Sequence, residues 1–422
     1  MSNGDLSAAF FLQMALILGA CRVMGWLARR VGQPQVMGEM IAGVLIGPSL
    51  LGLWLPEWRQ KLFPAESLRV LYVGAQLGVG IYMFLVGVDF KEDVLRGRLR
   101  SAAAVSLSGM IAPFALGAAV ALWLLRMPGM FGDGVTPVTG MLFLGAAMCI
   151  TAFPVLARII QEHGLAHTSL GTLALGAGAV NDAVAWCLLA MVLAGFGGGT
   201  VVAVKAIGGG IAYCAVVLTL GRRLLQRLGD ATGRAGRLTP QTTAIILMLL
   251  MLGAWITDSI GIHAVFGGFM LGVAMPKGLL AGELKRQLEP FTVVFLVPMF
   301  FAFSGLNTRL DLVNSGPLLL VALVVLLAAC AGKGVACWAA ARFSGEDNRT
   351  ALALGALMNA RGMMELILLN IGLQKGIIQP ALFSVMVLMA ILTTLMASPL
   401  FEWFYGREAR RTGELGKLHA EG

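Results

Sequence analysis

The feature that most constrains this chain is the alternation of long apolar runs with short polar connectors. A run of about 18 or more apolar residues is long enough to cross the hydrocarbon core of a bilayer as a helix, and there a helix satisfies its own backbone hydrogen bonds. Taking such runs as spans places about thirteen helices, at roughly 7–28, 34–53, 70–88, 101–124, 137–157, 168–194, 199–221, 241–256, 259–275, 288–306, 316–341, 350–373 and 379–404. Composition agrees: 58% of the 422 residues are hydrophobic and 13% charged, and the mean hydropathy is +0.85, which no water-soluble domain of this length tolerates. The fold class is an all-α polytopic membrane protein. The acidic start of the chain, with no basic stretch before the first apolar run, reads as a retained first helix rather than a cleaved leader.

The net charge of +9 does not point to nucleic acid, because the arginines and lysines sit in short connectors rather than along one face. With the N-terminus outside, most of them fall on the cytoplasmic side, chiefly in "KEDVLRGRLR", in "GRRLLQRLGDATGRAGR" and in the tail 405–422 with Arg407, Arg410, Arg411 and Lys417. That asymmetry is the positive-inside pattern. It gives N-out, C-in, as for an integral protein of a bacterial inner (plasma) membrane. Cys21, Cys149, Cys187, Cys214, Cys330 and Cys337 all lie in apolar runs without CxxC spacing, so they indicate packing rather than disulfides or a metal centre. The connectors leave no room for a nucleotide-binding domain, so the chemistry belongs to the membrane.

Within the spans, four ionisable residues stand out: Asp182, Lys333, Arg361 and Glu365. A carboxylate at mid-membrane costs on the order of 3 kcal/mol on insertion scales, so structure alone rarely calls for one. Two of the runs also look interrupted. In "GAAMCITAFPVLARIIQE", Pro154 removes a backbone donor and frees the Ile150 carbonyl, with the Thr151 hydroxyl beside it. In "ALGALMNARGMMELILLNIGL", Asn359, Arg361 and Gly362 interrupt the other. The two segments lie about two hundred residues apart and, with an odd number of spans between them, run in opposite directions. That is the layout of an inverted repeat whose discontinuous helices cross near the midplane, where secondary transporters hold their ions.

Several stretches taken together, "GQPQVMGEMIAGVLIGPSLLG", "MFLVGVDF", "ITAFPVLARIIQEHGL", "GAVNDAVAW", "IGIHAVFGGFMLGVAMP" and "LMNARGMMELILLNIGL", resemble the monovalent cation:proton antiporter family, closest to its plant-type cation/proton exchanger branch. The matches run in family order from about residue 32 to 373. The resemblance implies an ion-carrying core domain (about 101–194 and 316–404), a dimerisation or scaffold part (about 7–88 and 199–306), and a homodimer working by an elevator-like movement. It places Asp182 on the ion- and proton-binding carboxylate, Thr151 and Pro154 on the first broken helix, and Asn359, Arg361 and Glu365 on the second. Asn181 stands where many electrogenic members carry a second aspartate, a departure that bears on stoichiometry.

Physical reading of the same residues is consistent with that assignment. Removing a carboxylate from water disfavours its charged form, so Asp182 can be neutralised either by a proton or by a dehydrated Na⁺ or K⁺. Hard monovalent cations take oxygen ligands, which Thr151 and the carbonyls near Ile150 would supply beside Asp182. Neighbouring residues on a helix point about 100° apart, so Asn181 is expected to face a neighbour such as Lys333 rather than the same small ion. Lys333 is read as charge-compensating, and Arg361 with Glu365 as an i, i+4 ion pair. His263 reads as structural, and Glu39 and Asp89, toward span ends, as supporting groups.

The expected activity is antiport of a monovalent cation, K⁺ or Na⁺, against H⁺. It is electroneutral if Asp182 carries one ion at a time, and moves two protons per cation if Lys333 titrates as well. No resident cofactor and no enzymatic reaction are expected; the partners are the two ions, the bilayer and a second copy of the chain. The rival within transport is a sodium- or proton-coupled symporter of an organic anion on a similar scaffold. An intramembrane aspartyl hydrolase would need a second carboxylate facing Asp182, and a serine hydrolase a serine beside His263.

Overall fold

The computed structural model describes residues 2–31, 33–90, 99–166, 168–193, 199–306 and 316–406. The tail residues 407–422 and most of the basic stretch "KEDVLRGRLR" therefore lie outside the described residues. Among the described residues the protein is helical throughout, apart from one isolated antiparallel bridge between Phe131 and Ile378. Among the described residues, ten helical segments are long and apolar enough to cross a membrane. The shorter apolar helix Ala264–Ala274 and the interrupted segment around residues 348–374 occupy two more of the expected runs.

The chain divides into two compact units. The first comprises Met1–Gly19, Gln60–Glu92 and Trp186–Phe303. Its centre is the close passage of helix Ala65–Asp89 over helix Ala264–Ala274. Glycines make this approach possible, since a Cβ on Gly87 would overlap the Phe269 carbonyl and one on Gly272 the Phe84 carbonyl. With no hydrophobic effect between helices in lipid, such close backbone contact is what holds them. Around it pack Leu85, Val88, Ile246, Leu250 and Leu271, and the buried Tyr213 hydroxyl donates to the Gly267 carbonyl at 3.0 Å. Lys277 closes the end of helix 65–89 by donating to the Val88 and Phe90 carbonyls, cations being favoured at a helix C-terminus.

The second unit comprises Ala20–Arg59, Asp93–Ala185 and Ser304–Gly422. By its internal contacts the stretch Ala20–Arg59, placed with the scaffold part at the level of sequence, packs here. This unit contains both interrupted helices. Pro137–Cys149 and Phe153–Glu162 form the first, and Asn348–Leu357 and Met363–Gln374 form the second. Beside them run helix Leu99–Leu124, helix Ser169–Leu193 up to Ala185, helix Gln35–Ile46 and helix Pro380–Phe401. The chain just before the first interrupted helix pairs with the chain just after the second. Gly132 N–H donates to the Ile377 carbonyl and Gln379 N–H to that of Met130. The start of one interrupted helix and the end of the other thus meet, so the two run in opposite directions.

A candidate ion site at two helix breaks

The first interruption is extended backbone, with Ile150 at φ −64°, ψ 136° and Ala152 at φ −86°, ψ 91°. Pro154 lies in the first turn of the following half-helix, where its missing N–H costs no hydrogen bond. Proline therefore starts the second half rather than breaking a continuous helix from within, which corrects the sequence reading of its part. At the second interruption the chain leaves the helix after Leu357 and resumes at Met363. The two breaks touch: Ala152 N–H donates to the Ala360 carbonyl at 3.0 Å. Thr394 of helix 380–401 braces the crossing by accepting from Arg361 N–H at 2.8 Å and donating to the Arg361 carbonyl at 3.0 Å.

The C-terminal end of half-helix 137–149 has carbonyls without intrahelical partners and carries the negative end of the helix dipole. Two buried cations meet it. Arg361, 1% exposed, donates to the Ala147 carbonyl at 3.3 Å and the Met148 carbonyl at 2.8 Å. Lys333, wholly buried, donates to the Cys149 carbonyl at 2.6 Å. Lys333 sits in a π-helical turn, Ala331–Val335, a local bulge of the kind that recurs at functional positions. The expected pairing of Arg361 with Glu365 is present at 3.4 Å with both side chains fully buried. No hydrogen bond joins Asn181 to Lys333: Lys333 donates to the Cys149 carbonyl, and neither atom of the Asn181 amide has a hydrogen-bond partner among the described residues.

Asp182, 3% exposed, stands at the other side of the first break. The backbone N–H of Phe153, the first residue of half-helix 153–162, donates to its carboxyl group, and Lys333 acts on it electrostatically. The carboxylate thus faces the positive end of that half-helix. Its Oδ1 has no partner among the described residues, and neither has the hydroxyl of the fully buried Thr151 nor the Asn359 amide oxygen. Buried polar atoms are normally bonded. The unpartnered atoms of Asp182 and Thr151 are both oxygens, the ligand type that suits a hard monovalent cation rather than a transition metal. No cluster of three or more His, Cys, Asp or Glu able to hold a metal ion occurs among the described residues.

The remaining expected groups fall as follows. His263 caps helix 264–274 by accepting from Val265 N–H through Nδ1, a structural role. Asp89 pairs with Lys285 at 2.7 Å. Glu39 is fully buried beside Arg158. Sequence reasoning missed Thr394, which lies in the apolar run "ILTTLMASP" with no local signal to mark it. It also missed the capping of residues 147–149 by Arg361 and Lys333, partners that lie about two hundred positions away.

Two oppositely directed discontinuous helices, touching at their breaks beside a buried carboxyl group, define a secondary transporter of the crossed-helix class. The comparison with known families makes this specific. The family described as "Sodium/hydrogen exchanger, transmembrane" matches residues 16–404, and the chain belongs to it. Relatives include the Na⁺/H⁺ antiporter NhaS4 of Synechocystis, 41% identical over 92% of this chain and 95% of its own length. Cation/H⁺ antiporter 15 of Arabidopsis thaliana is 34% identical over 94% of this chain, which spans only 48% of that protein. K⁺/H⁺ antiporter 1 of Saccharomyces cerevisiae is 30% identical over 94% of this chain and 46% of its own. In fold, the protein is similar to the sodium proton antiporter MjNhaP1 of Methanocaldococcus jannaschii, with a TM-score of 0.66 at 14% identity over 100% of this chain and 99% of that one. These are cation/proton exchangers, and nothing among them supports the organic-anion symporter considered above.

Proposed function

We propose that the protein exchanges one monovalent cation, Na⁺ or K⁺, for one H⁺ at Asp182, which binds either ion but never both. The observation that carries this reading is the bare, buried Oδ1 of Asp182, whose carboxyl group is held by Phe153 N–H, two residues along the chain from the unpartnered Thr151 hydroxyl. A carboxyl oxygen in that position is neutralised by a proton or by a cation. Phe153 N–H holds the carboxyl group in place, and Thr151 with the extended backbone at Ile150 replaces part of the water shell that the cation loses. Arg361 and Lys333 offset the dipole end of half-helix 137–149, and Asp182 Oδ1, without a hydrogen-bond partner among the described residues, is left available to exchange ions. Asn181 in place of a second carboxylate supports a one-for-one count. The layout of two units and the family membership support work as a homodimer in a plasma-type membrane, with the unit containing Asp182 as the moving element.

The test is proton flux in proteoliposomes carrying an imposed pH gradient, read with an internal dye as K⁺, Na⁺ or Li⁺ is added, for wild type and Asp182→Asn. The gradient is expected to collapse with a cation only in the wild type, and at a rate unaffected by an imposed voltage. Voltage dependence in the wild type means that a second proton moves, with Lys333 as its carrier. A wild type indifferent to every cation sinks the reading.

A further inference from the structure

A second cluster of buried charge lies in the same unit, where half-helix 153–162 ends against the start of helix 35–46. Glu162 accepts hydrogen bonds from Gln35 N–H and, at 3.2 Å, from Val36 N–H. It therefore caps the N-terminus of helix 35–46, where a carboxylate is favoured. Arg158 donates from Nε to Glu162 Oε1 at 2.7 Å, and its Nη2 lies 4.0 Å from Oε1 of Glu39. Glu39 is fully buried. Its Oε1 accepts from the Gln35 side chain at 2.9 Å, while its Oε2 has no partner among the described residues.

Its charged neighbours separate Glu39 from the buried Glu365. Glu365 has Arg361 at 3.4 Å and Lys333 acting on it as well. Glu39 shares Arg158 with Glu162, and Arg158 lies much nearer to Glu162. The other cation that acts on Glu39 is Arg22, which is exposed; the remaining neighbour on that helix is Cys21, whose Sγ lies 3.9 Å from the Glu39 carbonyl oxygen. Beyond Glu162 the next titratable pair is His163 with Glu402 at 3.2 Å. Two carboxylates thus divide one buried guanidinium. A buried carboxylate oxygen with neither donor nor cation is costly unless the group takes up a proton.

We propose that Glu39 is a second proton-binding site of this protein, with the proton on Oε2, and that its charge state decides which carboxylate Arg158 serves. With the proton present, Arg158 pairs with Glu162, the arrangement seen. When the proton leaves Oε2 for water, the Glu39 carboxylate competes with Glu162 for Arg158. Arg158 lies on the half-helix whose first residue holds Asp182, so the event is felt at the exchange site. Glu39 is in this sense a positioning residue. Only the transport readout rests on exchange at Asp182; the protonation itself does not.

The first test is infrared difference spectroscopy between low and high pH on the full chain in lipid. Wild type and Asp182→Asn are expected to share a carboxylic-acid C=O band that is lost in Glu39→Gln; identical bands in wild type and Glu39→Gln overturn the proposal. Arg158→Gln, which removes the nearest cation, is expected to hold that band to higher pH, and an unmoved band also overturns it. In proteoliposomes, Glu39→Gln mimics the protonated group. One limb of its pH–rate profile is expected to disappear. A profile that superimposes on that of the wild type overturns the proposal. If even the wild type fails to exchange cations, the reading at Asp182 falls while the infrared arm still decides Glu39.

Discussion

The two units solve the same packing problem in opposite ways. In the first, helices 65–89 and 264–274 approach through glycine and stay unbroken, and the buried polar residues described there are Gln13, Ser67, Thr232, Thr242, Thr257, Thr292 and His263. In the second, the interrupted helices touch at their breaks, and Glu39, Arg158, Asp182, Lys333, Arg361 and Glu365 are all buried in the same unit. Unbroken helices satisfy their own backbone and need no charge. A broken pair exposes carbonyls and N–H groups inside the membrane, and these are tolerated only where protein groups or an ion answer them. Arg361, Lys333, Thr394 and Asp182 are those groups. This contrast between an unbroken crossing without charge and a broken, charged one is what supports the proposal that the second unit carries the ion chemistry.

Changes at the broken crossing are expected to exceed any in the glycine crossing. Asp182→Asn removes the carboxyl group proposed to exchange ions while keeping its size, and cation-driven proton flux should fall to the rate of protein-free vesicles. Arg361→Ala leaves Glu365 buried without its partner and uncaps residues 147–148, which should cost about 3–5 kcal/mol. A lower melting temperature in detergent and poor recovery of assembled protein would show it. If Arg361→Ala melts like the wild type, the capping role given to Arg361 is wrong.

A smaller effect is expected in the first unit. Gly272→Ala drives a Cβ into the Phe84 carbonyl and should cost about 1–3 kcal/mol, with the half-saturating cation concentration unchanged in whatever protein folds. A shift of cation affinity there would break the division of labour between the units. Thr151→Ala, by contrast, should leave melting nearly unchanged and raise the half-saturating cation concentration by about tenfold, the loss of roughly 1.4 kcal/mol from one oxygen ligand. Unchanged cation affinity in this variant removes Thr151 from the site. Smallest of all, Lys285→Ala breaks a partly exposed pair with Asp89 and should change stability by less than about 1 kcal/mol, measured by the same melts.

The spans and the two interruptions were legible in the sequence because each is a local signal: an apolar run has a length, and Asp182 or Arg361 inside one is conspicuous. The Arg361–Glu365 pair was legible for the same reason, since four residues on a helix bring side chains onto one face. Pro154 misled, because its chemistry says that a backbone donor is missing but not whether the position is the interior or the first turn of a helix. Adjacency to Asp182 says which way Asn181 does not point, but not what it meets: its amide has no hydrogen-bond partner among the described residues, and Lys333 donates to the Cys149 carbonyl.

What the sequence by itself determined is the class of molecule, an all-helical membrane protein with two oppositely running interrupted helices and one carboxyl group that has no structural excuse to be buried. Hydrocarbon enforces this, since apolar length and misplaced charge are properties of the chain alone. What only the tertiary structure decided is which groups answer one another at the breaks. Lys333 meets Cys149, Arg361 meets Ala147 and Met148, Ala152 meets Ala360, and Arg158 stands between Glu39 and Glu162. Most of these partners are more than a hundred residues apart in the chain, and no periodicity or spacing encodes their meeting. It follows from the packing of one helix pair against another, which places the unsatisfied end of a half-helix where a cation from elsewhere in the chain can reach it.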